Sequence, residues 1–142
     1  DPYTPPEGDH LLMRKILSLL SRYDVSVLIA TKSNLVLRDI DILKKIDVVV
    51  SMTITTLDKE LSRIIEPYAP SPSSRLEALR RLSENGIPTS LRIDPIIPYL
   101  TDDFKSIEEL INISHEYGVK HVVSSIYKAK PDSFKRIINI YK

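Results

Sequence analysis

The chain has no cysteine among its 142 residues. That excludes a disulfide framework, thiolate metal sites and iron–sulfur ligation by its own side chains. Glycine is nearly as scarce. With three glycines, no GxGxxG turn and no Walker phosphate loop can be written. His10, His115 and His121 lack metal-ligand spacing. No serine nucleophile elbow is present. Long apolar runs are missing too: Val25 to Ala30 is already broken by Ser26, so no stretch reads as a membrane span. The opening DPYTPPEGD is acidic and proline-rich and does not read as a signal peptide; a cytoplasmic setting is the default. Net charge is +1 with dispersed lysines and arginines, so charge supplies no positive evidence for nucleic-acid binding.

What is present is a soluble globular balance, 42% apolar and 27% charged, enough for a single domain over residues 1–142. Asp9 can cap a first helix carrying Leu12, Ile16, Leu19 and Leu20. Val25, Val27, Leu28 and Ile29 then form a dense apolar strand, of the kind covered on both faces in parallel sheets. A short helix over Asp39 to Ile46 leads to a second strand at Val48, Val49 and Val50. Thr56 can cap a helix with Leu57, Leu61 and Ile64. The stretch Glu66 to Ser73 (EPYAPSPS) is a proline-rich loop. Ser73 or Ser74 starts the next helix, with Leu76, Leu79 and Leu82 inward and Gly86 as its stop.

A third strand spans Thr89 to Ile93 and exits through the loop Asp94 to Asp103. Asp102 or Asp103 opens a helix with Phe104, Ile107, Leu110, Ile111 and Ser114, which Gly118 ends. The fourth strand is Val119 to Ile126. Pro131 suits the first turn of a last helix bearing Phe134, Ile137, Ile138 and Tyr141. Strands alternating with helices imply an α/β fold with about four parallel strands and right-handed crossovers. A segment of a (β/α) barrel and a small doubly wound sheet both fit.

Ligands in parallel α/β folds bind at the carboxyl ends of strands. Those ends read Thr31-Lys32-Ser33, then Ser51, Thr53, Thr55 and Thr56, then Arg92, Asp94 and Pro95, then Ser124, Ser125 and Tyr127. Alternation puts Val49, Ser51 and Thr53 on one face, a dry floor rising to a polar mouth; serine and threonine also simply mark strand endings. Lys32 follows an apolar strand directly. Arg75 sits in the first turn of a helix, unfavourable against the dipole, so it needs a partner, for which Glu66 and Glu7 are candidates. Tyr99 lies near a strand end, and the expectation for it is a packed or solvent-edge side chain.

The segments TKS (31–33), RDIDIL (38–43), VVSMTITTLD (49–58), EPYAPSPSSRLEAL (66–79) and NGIPTSLRIDPIIPYLTD (85–102) occur in an order that resembles the radical S-adenosylmethionine (SAM) proteins related to spore photoproduct lyase, the DNA repair photolyase group. DPYTPPE (1–7) also resembles that family's segment after its second barrel strand. The resemblance covers residues 1 to about 103. It implies an internal or C-terminal slice of a radical SAM barrel whose CxxxCxxC loop, holding a [4Fe–4S] cluster that cleaves SAM, lies elsewhere. This chain alone would then be inactive. Lys32 resembles the family lysine near the methionine moiety and Ser51 the strand-end serine contacting SAM. Thr53 shares the face of Ser51. Arg75 resembles a residue meeting the SAM carboxylate. Pro95 and Ile96 resemble the segment bordering adenine, and Asp1 to Tyr3 the region that holds the SAM amino group. The family name implies a nucleic-acid substrate.

Two other readings stay open from the residues. One is an iron-independent βα enzyme using Lys32 as a base or Schiff-base lysine. The other is a non-catalytic α/β module with polar strand ends. A barrel slice would also leave strand edges exposed, which favours self-association.

Overall fold

The structure, a computed structural model, describes residues 1–129 and 131–140. Its order is α1 (Glu7–His10), α2 (Leu12–Leu20), β1 (Ser26–Thr31), a 3-10 segment (Asn34–Asp39), α3 (Ile40–Leu43), β2 (Asp47–Thr53), α4 (Lys59–Ile65), α5 (Pro72–Glu84), β3 (Thr89–Ile96), α6 (Phe104–Glu116), β4 (His121–Ile126) and α7 (Pro131–Ile140). The four strands form one parallel sheet in the order β1-β2-β3-β4. A doubly wound sheet reverses its strand order at a switch point. Here each strand pairs with the next in sequence, as in a barrel wall.

Strand alternation divides the side chains. Val48, Val50 and Met52 of β2 and Leu91 and Ile93 of β3 are buried in the main core with Leu76, Leu79 and Leu82 of α5 and Leu110 of α6. The other face is open. Leu28 is 69% exposed and Val49 is exposed. The expectation that β1 is covered on both faces therefore fails among the described residues, where helices cover one side only.

Several element starts move for identifiable reasons. Asp9 lies inside α1 instead of capping α2. Leu11 turns the chain with a φ of 54°, and the Glu7 carboxylate caps α2 by accepting from Leu12 N (2.9 Å) and Met13 N (2.9 Å). The apolar side expected to face inward on α2 faces outward: Leu12 and Leu19 are exposed, while Leu17 is fully buried with Met13 beside it. Arg14 fixes that rotation by reaching Asp39 and, with both terminal nitrogens, Asp41. Asp58 caps α4 in place of Thr56. Ser71 caps α5, whose first residue is Pro72, where a missing N–H costs nothing. Strand β3 runs on through Asp94, Pro95 and Ile96, with an irregularity between Ile93 and Ile96. Gly86 and Gly118 end α5 and α6 at φ of 74° and 89°, backbone that L side chains adopt only with strain. Phe104, expected inward on α6, is exposed, as is Phe134 of α7. Tyr141 lies outside the described residues.

The N-terminal segment is tied down by one charged cluster. Asp39, 0% exposed, accepts from the Tyr3 hydroxyl (3.0 Å), Arg38 Nε (2.9 Å) and Nη2 (2.8 Å), and Arg14 Nη1 (3.1 Å). Arg38 also donates to the Glu7 carboxylate (2.8 Å) and its carbonyl (2.9 Å). Burial alone would raise the Asp39 carboxyl, but the Arg38, Arg14 and Tyr3 donors outweigh it and hold it below the ordinary range. Burial and the facing carboxylate keep the Tyr3 phenol protonated far above its usual range.

A lowered folded-state value means that this contribution is complete above the unfolded aspartate value of about 3.9. It is lost as pH falls through the depressed one. Asp39→Asn is expected to cost about 3 kcal/mol at neutral pH, toward the low end for a broken pair because both arginines stay partly solvated. Urea midpoints of the unmodified chain should fall more steeply than those of the variant between about pH 5 and pH 2. Parallel acid limbs would remove Asp39 from this role.

Candidate functional site

The carboxyl ends of the strands bring together the polar residues that sequence alternation singled out. At β1, the Asp1 carboxylate accepts from Thr31 Oγ1 (2.7 Å), Lys32 N (2.7 Å) and Tyr3 N (2.9 Å). The strand end and the N-terminal segment are thereby locked together. On the open face of the sheet, Ala30, Ser51 and Ser90 lie side by side in register. Ser90 Oγ donates to Ser51 Oγ at 2.9 Å, and both residues are buried. One step up, Thr53 aligns with Arg92 and Arg92 with Val123. Above them Asp94 receives both the Arg92 guanidinium and the Ser125 hydroxyl.

The Ser125 hydrogen bond, then the Arg92 contacts, hold Asp94 below the ordinary carboxylate range against the effect of burial. The charge of Lys32 acts in the same direction. Pro95 and Ile96 follow within β3, both half-buried. Pro95 has no N–H to give the ladder, and Ile96 O accepts from Tyr127 N at 2.9 Å.

Lys32 and Ser51 sit at different levels. Ser51 lines a hollow of about 1130 Å³ with Leu28, Val49, Ser90, Arg92 and Val123; that hollow runs down to the amino ends of the strands near Gly86 and Gly118. Lys32 lines a separate cavity of about 480 Å³, walled by Tyr3, Pro5, Pro67, Tyr68 and Pro70.

Arg75 differs from its expected role. Its side chain is 1% exposed and does not reach the opening. Nε donates to Pro70 O (2.7 Å), Nη1 to Thr53 O (3.0 Å) and Nη2 to Ser62 Oγ (3.2 Å). Nη1 also lies 2.6 Å from Glu66 Oε2, an ion pair without hydrogen-bond alignment. Of the two partners considered for Arg75, Glu66 is the one found; Glu7 pairs with Arg38. The other Glu66 oxygen sits 2.9 Å from Lys32 Nζ. This ion pair is the reverse of the unpaired, desolvated setting that a Schiff-base lysine needs. Sequence reasoning passed over Ser90 as a site residue, although strand parity with Arg92 was available to find it. The Asp94–Arg92–Ser125 group depends on β3 running past Ile93, for which the sequence around two prolines gave no signal.

The model of the radical SAM superfamily matches residues 1–112. The chain belongs to the radical SAM superfamily. It is 37% identical to the uncharacterized protein MJ0683 of Methanocaldococcus jannaschii, across 98% of this chain and 57% of that protein. It is 38% identical to the uncharacterized protein ORF301 of Acidianus two-tailed virus, across 78% of this chain and 38% of that one. The chain therefore spans well under two thirds of either relative. In fold it resembles SuiB of Streptococcus suis, in a crystal structure bound to S-adenosylmethionine, with a TM-score of 0.71 over 94% of this chain and 33% of SuiB, at 16% identity. That likeness supports a partial radical SAM barrel.

SAM carries a carboxylate, an ammonium and ribose hydroxyls, which call for a cation, acceptors and hydroxyl partners. Lys32, Asp94, Ser51 and Thr53 supply those types at the strand ends, so the residues fit. They do not fit a [4Fe–4S] cluster, because the chain has no thiol. Among the described residues, no group of three or more His, Asp or Glu converges on a metal position. No helix among them is long and apolar enough to cross a membrane.

Two stability measurements check this geometry. Ser51→Ala strands the buried Ser90 hydroxyl and should cost about 1–2 kcal/mol, with Ser51→Ala/Ser90→Ala recovering most of it. Arg75→Met leaves Glu66 short of a partner in a site 9% exposed and should cost about 3–5 kcal/mol. Denaturant midpoints for the three variants read both effects; a silent Arg75→Met would show the guanidinium to be dispensable.

Proposed function

We propose that this chain forms the SAM-gripping strand ends of a radical SAM enzyme of the spore photoproduct lyase or DNA repair photolyase type. The observation that supports the reading is that a lysine, a carboxylate and buried hydroxyls all stand at or near the carboxyl ends of adjacent parallel strands, Lys32 after β1, Ser51 and Thr53 in β2 and Asp94 in β3. Lys32 takes the methionine carboxylate. Ser51 and Thr53 present hydroxyls from the open face. Asp1 and Asp94 offer carboxylates to the ammonium and ribose, and Pro95 and Ile96 border the adenine. Arg75 contributes at one remove, by holding the end of β2.

When bound, SAM supplies the deoxyadenosyl group that radical chemistry uses, with a [4Fe–4S] cluster ligated outside these 142 residues as the reductant. The chain's own part is to bind, orient and shield. A DNA substrate is supported by two exposed rings on loops at this end of the sheet, Tyr68 (93%) and Tyr99 (90%). Such rings suit stacking against bases. Tyr99 stands at the apex of a turn closed by Thr101 N to Ile97 O (2.9 Å) and Ile97 N to Thr101 Oγ1 (2.8 Å), at a φ of 61°. The enzyme works in the cytoplasm under this reading. The 142-residue chain, with Leu28 and Ile126 69% exposed on its edge strands β1 and β4, self-associates when separated from the rest.

Calorimetric titration of SAM into the full-length protein, purified and reconstituted without oxygen, tests the site. Lys32→Ala and Ser51→Ala should each weaken binding about tenfold, the loss of one charged or buried hydrogen bond. Unchanged affinity in both variants rejects the assignment.

A further inference from the structure

Glu66 belongs to the proline-rich loop after α4 and is not itself among the groups assigned to SAM. Its carboxylate is nevertheless placed to control one of them. One oxygen lies 2.9 Å from Lys32 Nζ and the other 2.6 Å from the buried Arg75 guanidinium. Arg75 is anchored in turn to the carbonyls of Thr53 and Pro70 and to Ser62. The position of Glu66 is thus set by the end of β2 and by α4, not by the flexible lysine it meets. Lys32 is held at both ends: its amide donates to Asp1 Oδ2 at 2.7 Å and its ammonium is drawn to Glu66.

We infer that Glu66 is a positioning residue for ligand binding, holding the half-exposed Lys32 ammonium at the mouth before ligand arrives. A free lysine head samples many rotamers, and fixing it on binding weakens affinity. Glu66 removes that cost in advance. Because Arg75 already claims one of its oxygens, Glu66 offers Lys32 only part of its charge. The ammonium therefore keeps both unused N–H donors and net positive character for an incoming carboxylate. Arg75 acts behind it as the support that keeps a carboxylate in a nearly buried place. The inference rests on Lys32 as a SAM contact.

The experiment is a double-mutant cycle on SAM affinity in the full-length reconstituted protein, using Glu66→Asp and Lys32→Ala. Glu66→Asp keeps the charge that Arg75 needs, so the fold is retained, but withdraws the carboxylate from Lys32. Glu66→Asp should weaken SAM about three- to tenfold in the Lys32 protein and leave affinity unchanged in the Lys32→Ala background. Lys32→Arg, whose head reaches farther, should recover part of the loss when combined with Glu66→Asp. Equal losses in both backgrounds, or none in either, overturn the positioning role. A Lys32→Ala variant with unaltered affinity instead rejects the SAM contact itself. Melting temperatures taken alongside separate a structural loss, which would appear in every Glu66→Asp protein whatever stands at position 32.

Discussion

A single guanidinium in the interior of the molecule determines how the carboxyl ends of its strands are put together. Arg75 has no route to water and must find its partners inside. It finds them in three segments: the last carbonyl of β2, Ser62 of α4, and the proline-rich loop, which supplies both Pro70 O and the Glu66 carboxylate. Each of these would otherwise be a separate segment with its own freedom. Satisfying one buried cation fixes their mutual positions. The opening at the strand ends therefore has a rigid back wall, and a buried guanidinium decides where Glu66, and with it the Lys32 ammonium, will stand.

The N-terminal segment is organised by the opposite sign. There a buried carboxylate, Asp39, gathers Tyr3, Arg14 and Arg38. The two centres meet at β1, since Asp1 binds the backbone of Lys32 while Glu66 meets its ammonium. Lys32 is thus placed by two charge networks built from separate stretches of chain. Ion pairs this deep are poor sources of stability but strict about geometry, since a misplaced partner leaves a charge unsolvated.

The order of elements was readable because the signals were independent of one another. Dense β-branched runs marked β1 and β2, glycines stopped α5 and α6, and alternation put Ser51 and Thr53 on one side. What escaped was whatever tertiary charge pairing decides. The rotation of α2 follows from Arg14 reaching Asp39 and Asp41, so its best apolar stripe by sequence is the one left outside. The same holds for Arg75: its place in the first turn of a helix showed that it needed a partner, but not that the partner would draw it into the interior. The continuation of β3 past Asp94 depends on pairing with β4, which a proline-bearing stretch does not announce.

The sequential order of the sheet bears on how the polypeptide is made. Every strand finds its neighbour in the next βα unit, so pairing never waits on a distant part of the chain, and loop closure stays short. As the polypeptide leaves the ribosome, β1 and β2 can join before β3 is synthesised, and each later unit docks on an existing edge. Asp1 and Tyr3 find their partners between Thr31 and Asp39, also within reach early on. Assembly can thus proceed in the direction of translation, one unit at a time.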